Sequence, residues 1–312
     1  MKGLKIVSAG RCLPARQVSN EEMSRRVDTT DEWITSRTGI RNRYFCEKET
    51  MTDLAVGAAE EALRRAGIQK EDLCACIVAT VTPESSAPAA ACRLQKRLEL
   101  PEDIPCFDLN AGCTGFVYGL GVVRGLLLQS SRPYALLVGA ESLSRIIDFT
   151  DRGTCVLFGD GAGAVVVTLK EGSPWACTLG ASGDDEAIWI AGPGPEQPLI
   201  HMDGQKVFRF ATEAVPNCMG RLLEEAGLSL EEVDWFVPHQ ANGRIIDFAA
   251  RRLGVPLEKF YQNMERYGNT SAASIPIALS EMEERGLLKR GQKIVCVGFG
   301  AGLTWGGALL EW

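Results

Sequence analysis

Cys113 stands in Asp108-Leu-Asn-Ala-Gly-Cys-Thr-Gly-Phe116, where a short apolar run enters and a helical pattern leaves. A thiol at a helix start feels the positive end of the helix dipole, which favours the thiolate. Gly112 and Gly115 allow a tight turn and close approach of a reactant. The competing reading is a buried cysteine beside a turn, the common fate of a free thiol. The glycine-flanked strand-to-helix elbow favours a nucleophile.

A cysteine nucleophile works with an imidazole, and the chain offers only two, His201 and His239. His201 lies in Leu199-Ile-His-Met-Asp203 and reads as a solvated or locally bonded side chain. His239 ends an apolar run, Trp235-Phe-Val-Pro-His-Gln-Ala-Asn242, in which Pro238 stops a strand. The carboxyl end of a strand is where α/β proteins place chemistry. Asn269, in Tyr267-Gly-Asn-Thr-Ser-Ala-Ala-Ser-Ile275, is the third candidate. Alone it reads equally as a helix N-cap.

Alternating helical and strand patterns around these residues predict an α/β protein. Helices are expected over 54–66, with Gly67 as cap, over 90–98 and through Phe116, Leu120, Val123 and Leu127. Strands are expected at 75–80, 106–109, 134–138 and 163–169. In the second half helices are expected at 215–227, 244–253 and through Ile275, Leu279 and Met282. Strands are expected there at 234–237, 293–297 and 306–311. The two halves repeat one order. The stretch 75–98 matches 234–253, and 107–127 matches 267–282. The turn Phe158-Gly-Asp-Gly-Ala-Gly163 matches Phe299-Gly-Ala-Gly302. A duplicated chain would divide at 1–170 and 171–312. Asn269 would then face Cys113 across a pseudo-twofold axis. Residues 183–198, rich in Gly, Pro and acids, read as the surface connection.

Composition sets the outer limits. The chain has 312 residues, 46% hydrophobic and 23% charged, enough for a large core. A formal net charge of −7 argues against nucleic-acid partners and a polybasic membrane surface. No stretch reads as a secretory leader or bilayer span, so a cytoplasmic protein is expected. Eleven irregularly spaced cysteines and no Cys-x-x-Cys argue against a disulfide framework or a metal site. The tracts Gly159–Gly163 and Gly298–Gly302 lack the context of a nucleotide loop and suit close packing or an oxyanion amide.

At these residues the chain resembles the ketoacyl-ACP synthase III family of the thiolase superfamily. The resemblance runs through Val27-Asp-Thr-Thr-Asp-Glu-Trp-Ile34, Arg37-Thr-Gly-Ile40, Ala111-Gly-Cys-Thr-Gly-Phe116 and Asp151-Arg-Gly-Thr154. It continues through Phe158-Gly-Asp-Gly-Ala-Gly163, Val237-Pro-His-Gln-Ala-Asn242, Gly268-Asn-Thr-Ser-Ala-Ala-Ser274 and Gly302-Leu-Thr-Trp-Gly306. It implies a five-layered αβαβα thiolase fold, a homodimer, and no cofactor beyond the substrates acyl-CoA and malonyl-ACP. Cys113 falls at the acylated nucleophile, and His239 and Asn269 at the pair that binds the malonyl thioester oxygen. The backbone N–H groups of Cys113 and Ala301 would hold the second oxyanion. Thr29, Trp33, Arg37, Arg152 and Gly153 fall where coenzyme A binds. Gln240, Ala241, Asn242, Gly243 and Arg244 fall at the carrier-protein docking segment, with Arg209 joining the same patch. The implied reaction is the decarboxylating condensation that initiates type II fatty-acid synthesis.

Three departures are visible. Ala301 stands where many relatives have glycine, so its amide depends on a suitable backbone angle. Gly112 stands where alanine is common. Ala87 falls in the loop that closes the acyl pocket across the dimer, where acetyl-selective relatives tend to carry a bulky aromatic; a small residue implies room for longer or branched primers. A condensing enzyme of a specialised lipid or polyketide pathway is the nearest rival. A Cys-His hydrolase and a non-catalytic scaffold are the rivals of other classes, and a scaffold would be expected to lose Cys113, His239 or Asn269.

Overall fold

A computed structural model of the chain describes residues 2–192 and 197–312. Its central sheet runs in the order Trp235–Pro238, Lys293–Gly300, Gly302–Glu311, Lys2–Cys12, Gly161–Glu171, Tyr134–Glu141, Leu73–Ala79 and Cys106–Leu109. A ninth strand, Ala176–Asp184, also pairs with Gly302–Glu311. The join between Lys2–Cys12 and Gly302–Glu311 is one register pair, Lys5 with Glu311. On either side of that join the sheet forms a separate leaf.

The helices Gly115–Gln129 and Ser274–Glu284 lie between the leaves. One core cluster joins their Phe116, Leu120, Ile275 and Leu279 to Ile77 and Val165 of one leaf and Ile294 and Leu310 of the other. Met51–Ala66 and Ala90–Leu98 cover the outside of the first leaf. Gly204–Ala226 and Gly243–Leu253 cover the outside of the second. Helix, sheet, helix, sheet and helix therefore alternate, as the αβαβα expectation required. Burying both faces of each leaf explains why its strands read as continuous apolar runs.

Local chemistry accounts for the helix limits. Thr50 and Asp53 form a reciprocal capping box at the start of Met51–Ala66. Gly67 ends that helix in the left-handed conformation at φ +63 and donates to Leu63, as its position predicts.

Three expectations change. Lys2–Cys12, to which the sequence reading assigned no element, is a central strand. The helix expected at 215–227 begins eleven residues earlier, at Gly204, where Asp203 caps the Gln205 and Lys206 amides, and Pro216 sits inside it. The 183–198 tract is more than a surface connection: Ala176–Asp184 enters it as a strand, and Ile188–Ile190 pairs with Ile200–Met202 in a hairpin. Residues 193–196 of that tract lie outside the described residues. All eleven cysteines are free, and no helix of the described residues is long and apolar enough to cross a membrane.

Candidate active site

Cys113 sits in the turn Gly112–Thr114, which leads directly into the Gly115–Gln129 helix. Gly112 takes φ +54, a conformation glycine adopts without strain. Gly300 backs Cys113: a Cβ there would lie 2.9 Å from the Cys113 amide nitrogen. The second glycine tract therefore serves close approach of two turns. Ala301 lies beside Gly112, its nitrogen 3.2 Å from where a Gly112 Cβ would stand. Positive φ falls on Gly302 and Leu303 and spares Ala301, so alanine is accommodated there.

The thiolate expectation is corrected. Burial pushes the Cys113 thiol up to about 11, against a lowering contact from the Ser271 side chain. Desolvation outweighs the helix start, and the buried side chain is a neutral thiol.

His239 is buried at the end of Trp235–Pro238, with its amide donating to Val297 on the neighbouring strand. Burial lowers its imidazole to about 3, so it is neutral. Its Nδ1 lies 2.7 Å from the Ser274 hydroxyl. The Gln240 amide N–H also donates to that hydroxyl oxygen at 3.4 Å, and a Ser274 O–H turned to Nδ1 would complete its bonding. In that arrangement the ring proton would sit on Nε2. Asn269 is oriented the same way. The Ser271 amide donates to its Oδ1 at 2.8 Å, leaving the NH2 group free for a substrate oxygen. Its backbone is tied to Leu157 and Gly159.

These three side chains open on one cavity of about 910 Å³. A thiol and two neutral N–H donors face the same space. That set can form a thioester and stabilise an enolate oxygen.

Two 3-oxoacyl-[acyl-carrier-protein] synthase III models match the chain, one over residues 107–183 and the C-terminal one over 223–312. The β-ketoacyl-[acyl-carrier-protein] synthase III of Clostridium acetobutylicum is 44% identical, over 100% of this chain and 99% of its own. The chain belongs to the 3-oxoacyl-[acyl-carrier-protein] synthase III family. The crystal structure of the Aquifex aeolicus VF5 synthase III superposes with a TM-score of 0.94 at 42% identity, covering 99% of this chain and 100% of that one. The priming β-ketosynthase of the R1128 polyketide pathway gives 0.93 at 34% identity, covering 99% and 96%. This synthase has the thiolase fold and is a condensing acyltransferase of fatty-acid biosynthesis.

Outside the catalytic floor, the synthase gathers arginines at the cavity mouth. Arg37, Arg209 and Arg244 line it. Two guanidinium groups stand over the Trp33 ring, Arg37 at 4.6 Å and Arg152 at 4.8 Å from its centroid. Arg152 also donates to the Asp28 carbonyl at 3.0 Å, and Gly153 lines the same wall. The Thr29 hydroxyl oxygen is buried with no partner among the described residues. Arg244 stands 5.3 Å from the Phe208 ring centroid. Three arginines against one acid, Asp203, leave the cavity lining net basic in an acidic protein, which suits phosphate-bearing ligands.

The docking segment divides on inspection. Ala241, Asn242 and Arg244 reach the cavity, and Asn242 caps the Gly243–Leu253 helix through the Arg244 amide. Gln240 does not present its side chain. It is buried, donates to Pro238 and Tyr261, and accepts from the Asn263 amide. Gln240 is a pin under the loop, which corrects its reading as a contact residue. Ala87 is exposed and does not line the cavity of its own chain. His201 is exposed and stacked on Trp189 at 4.0 Å, as its bland reading anticipated.

The sequence reading missed Ser271 and Ser274, which aim Asn269 and His239. Both lie inside the quoted Gly268–Ser274 tract, where small polar residues read as turn formers. It also missed the apolar wall, including Ile188, Ile200, Met202 and Phe208. Those residues lie on the hairpin and at the helix start that the sequence reading left as loop.

Proposed function

We propose that the synthase loads an acyl primer from acyl-CoA onto Cys113 and condenses it with malonyl-ACP to give 3-oxoacyl-ACP, initiating type II fatty-acid synthesis. The observation that carries the reading is the convergence of Cys113, His239 and Asn269 on one cavity, with both nitrogen donors held toward it.

In the first half-reaction the Cys113 sulfur attacks the acyl thioester. The carbon–sulfur bond to coenzyme A breaks, and CoA leaves with the proton lost by the thiol. Malonyl-ACP enters next. The His239 Nε2–H and the Asn269 NH2 hold its thioester oxygen as carbon dioxide leaves. The resulting enolate carbon attacks the acyl-Cys113 carbonyl, a carbon–carbon bond forms, the carbon–sulfur bond to Cys113 breaks, and the departing thiolate takes a proton from solvent to restore the thiol. The Cys113 and Ala301 amides would take the oxygen of that second tetrahedral adduct. An oxyanion donor of this kind is worth about 2.7–4 kcal/mol. Neutral donors suit this role, because a permanently charged imidazolium would bind the ground-state malonyl carboxylate as well. The reading needs no cofactor.

Thr29, Trp33, Arg37, Arg152 and Gly153 are assigned to coenzyme A, with phosphates on the guanidinium groups and the base near Trp33. Arg209, Arg244 and the Ala241–Gly243 backbone are assigned to the acidic carrier protein. A homodimer is part of the same reading. The Cys106–Leu109 strand is a sheet edge with one free side, an invitation to pair with a second copy. Ala87 of a partner subunit would then close the acyl pocket. The halves 1–170 and 171–312 are read as a duplication, one supplying the nucleophile and the other the donors. The reducing cytoplasm, which keeps a thiol usable, is the compartment that fits.

A specialised primer is the second reading. The small Ala87 and the wall of Ile188, Ile200 and Met202 favour a longer or branched acyl chain over acetyl.

Intact-protein mass spectrometry with a panel of acyl-CoAs tests both. A mass gain matching the acyl group, absent in Cys113→Ser and discharged by malonyl-ACP, is expected, and it names the primer. A folded protein that no acyl-CoA acylates would overturn the loading step.

A further inference from the structure

In the proposed reaction the tetrahedral carbon is bonded to the Cys113 sulfur in both half-reactions, so one pair of amides, Cys113 and Ala301, would serve both adducts. Among the described residues neither amide donates to an acceptor of the chain. The two stand on separate turns. Gly112–Thr114 leads into the Gly115–Gln129 helix, and Ala301 joins the strands Lys293–Gly300 and Gly302–Glu311. Packing limits how near the turns come: a Cβ on Gly300 would lie 2.9 Å from the Cys113 nitrogen, and one on Gly112 3.2 Å from the Ala301 nitrogen. Such contact sets a spacing but does not oppose sliding of one turn along the other.

Among the described residues no backbone hydrogen bond crosses between these turns. A pair of hydroxyls does. The Thr114 Oγ1 lies 2.9 Å from the Thr304 Oγ1. The Thr114 hydroxyl also bonds to the Ala111 carbonyl, and the Thr304 hydroxyl to the Ala301 carbonyl at 3.0 Å. Each can donate to the carbonyl of its own turn, and either can donate across the gap. Thr114 is fully buried. The bond from Thr304 to Ala301 closes over Gly302 at φ +76 and Leu303 at φ +43, the latter a conformation that a non-glycine residue rarely adopts. Backbone of this kind persists where its surroundings hold it.

We propose that the Thr114–Thr304 hydroxyl pair is a positioning device that keeps the Cys113 and Ala301 amides in register as one oxyanion hole. One hydroxyl sits on the residue after Cys113, and the other is bonded to the carbonyl of Ala301 itself. Without the link, a small slip between the turns swings one N–H away from the oxygen that the other still holds. His239 and Asn269 are held separately, by Ser274 and by the Ser271 amide. The pair therefore acts on the tetrahedral adducts at Cys113 and not on the loss of carbon dioxide from the malonyl thioester. Valine in place of either threonine keeps the shape and removes the bond, whereas serine keeps the bond.

This positioning role rests on Cys113 being the acylated nucleophile. The test compares wild type, Thr304→Val, Thr304→Ser, Thr114→Val and the double valine variant. Three rates are measured: single-turnover acylation by acyl-CoA, condensation of the acylated protein with malonyl-ACP, and carbon dioxide release from malonyl-ACP by the unloaded protein. The third rate also reports that each variant is folded. Thr304→Val and Thr114→Val should each slow acylation and condensation by about 10–10²-fold, the effect of a misaligned donor, with carbon dioxide release near the wild-type rate. The double variant should be no slower than the slower single variant, because both remove one link. Thr304→Ser should recover most of the rate. Wild-type acylation and condensation in both single valine variants would overturn the proposal. So would equal losses in all three rates, additive losses in the double variant, or a serine variant as slow as the valine one. A wild-type protein that no acyl-CoA acylates would instead overturn the loading step on which the role depends.

Discussion

The Nδ1 of His239 lies 2.7 Å from the Oγ of Ser274, and Ser274 opens the helix that follows the Asn269 turn. One short segment, Asn269–Ser274, thus sets both donors of the site. Its Ser271 amide fixes Asn269, and its Ser274 hydroxyl holds the His239 ring through Nδ1.

Ser274→Ala should therefore impair decarboxylation and spare acylation. The imidazole stays in place but its proton divides between two nitrogens. A loss of about 10-fold is expected, against about 10²–10³-fold when a donor such as Asn269 is removed outright. Rates of carbon dioxide release and of acyl loading, measured separately, check this; equal losses in the two would contradict it.

The same histidine makes the fold sensitive to acid. Its folded-state pKa is lowered from 6.5 to about 3 by burial. As pH falls below 6.5 the unfolded chain takes up a proton that the folded chain refuses. The stability associated with neutral His239 is present above 6.5 and drains away toward 3, by up to about 1.4 kcal/mol per pH unit. Urea unfolding of wild type and His239→Asn over that range should give a shallower pH slope for the variant.

Trp33→Ala should raise KM for acyl-CoA by roughly 3–30-fold, the worth of one partly desolvated cation–π contact, with kcat little changed. Steady-state kinetics with acyl-CoA and with a short pantetheine thioester separate the cases. Only the CoA substrate should respond.

Arg244→Glu should weaken use of malonyl-ACP and leave loading from acyl-CoA near normal. The wild-type preference for the carrier should fall as salt rises, and the variant should show a flatter salt dependence. Equal effects with malonyl-pantetheine would place Arg244 in substrate binding instead.

Ala87→Phe tests the acyl pocket and the dimer together. Preference should shift toward shorter primers, as read by the acyl mass gained at Cys113. An unchanged chain-length profile would separate Ala87 from the pocket.

Much of the site was legible because its chemistry sits at strand-to-helix turns, where glycine, proline and small polar residues mark the chain. Cys113, His239 and Asn269 do meet at one cavity, and Gly67 caps the helix it was expected to cap. Other features depend on tertiary surroundings. Lys2–Cys12 becomes a central strand through pairing with Gly161–Glu171, a partner distant in sequence, with Lys2 opposite Glu171. The helix expected from 215 begins at Gly204, because an amphipathic face packed on the second leaf carries it through Pro216. Gln240 reads as a polar loop residue until its three partners appear around it. The thiol at Cys113 follows the depth of its site over the dipole of its helix, and depth has no signature in a local pattern.

The hairpin of Ile188–Ile190 and Ile200–Met202 is a two-stranded sheet of its own, with no ladder to the central sheet. It supplies Ile188, Ile200 and Met202 to the cavity wall, while Cys113, His239 and Asn269 come from the leaves and the helices between them. A share of the cavity wall and the Cys-His-Asn set therefore lie on separate pieces of chain, and a hairpin exchanged between relatives would carry its part of the wall with it while leaving Cys113, His239 and Asn269 in place.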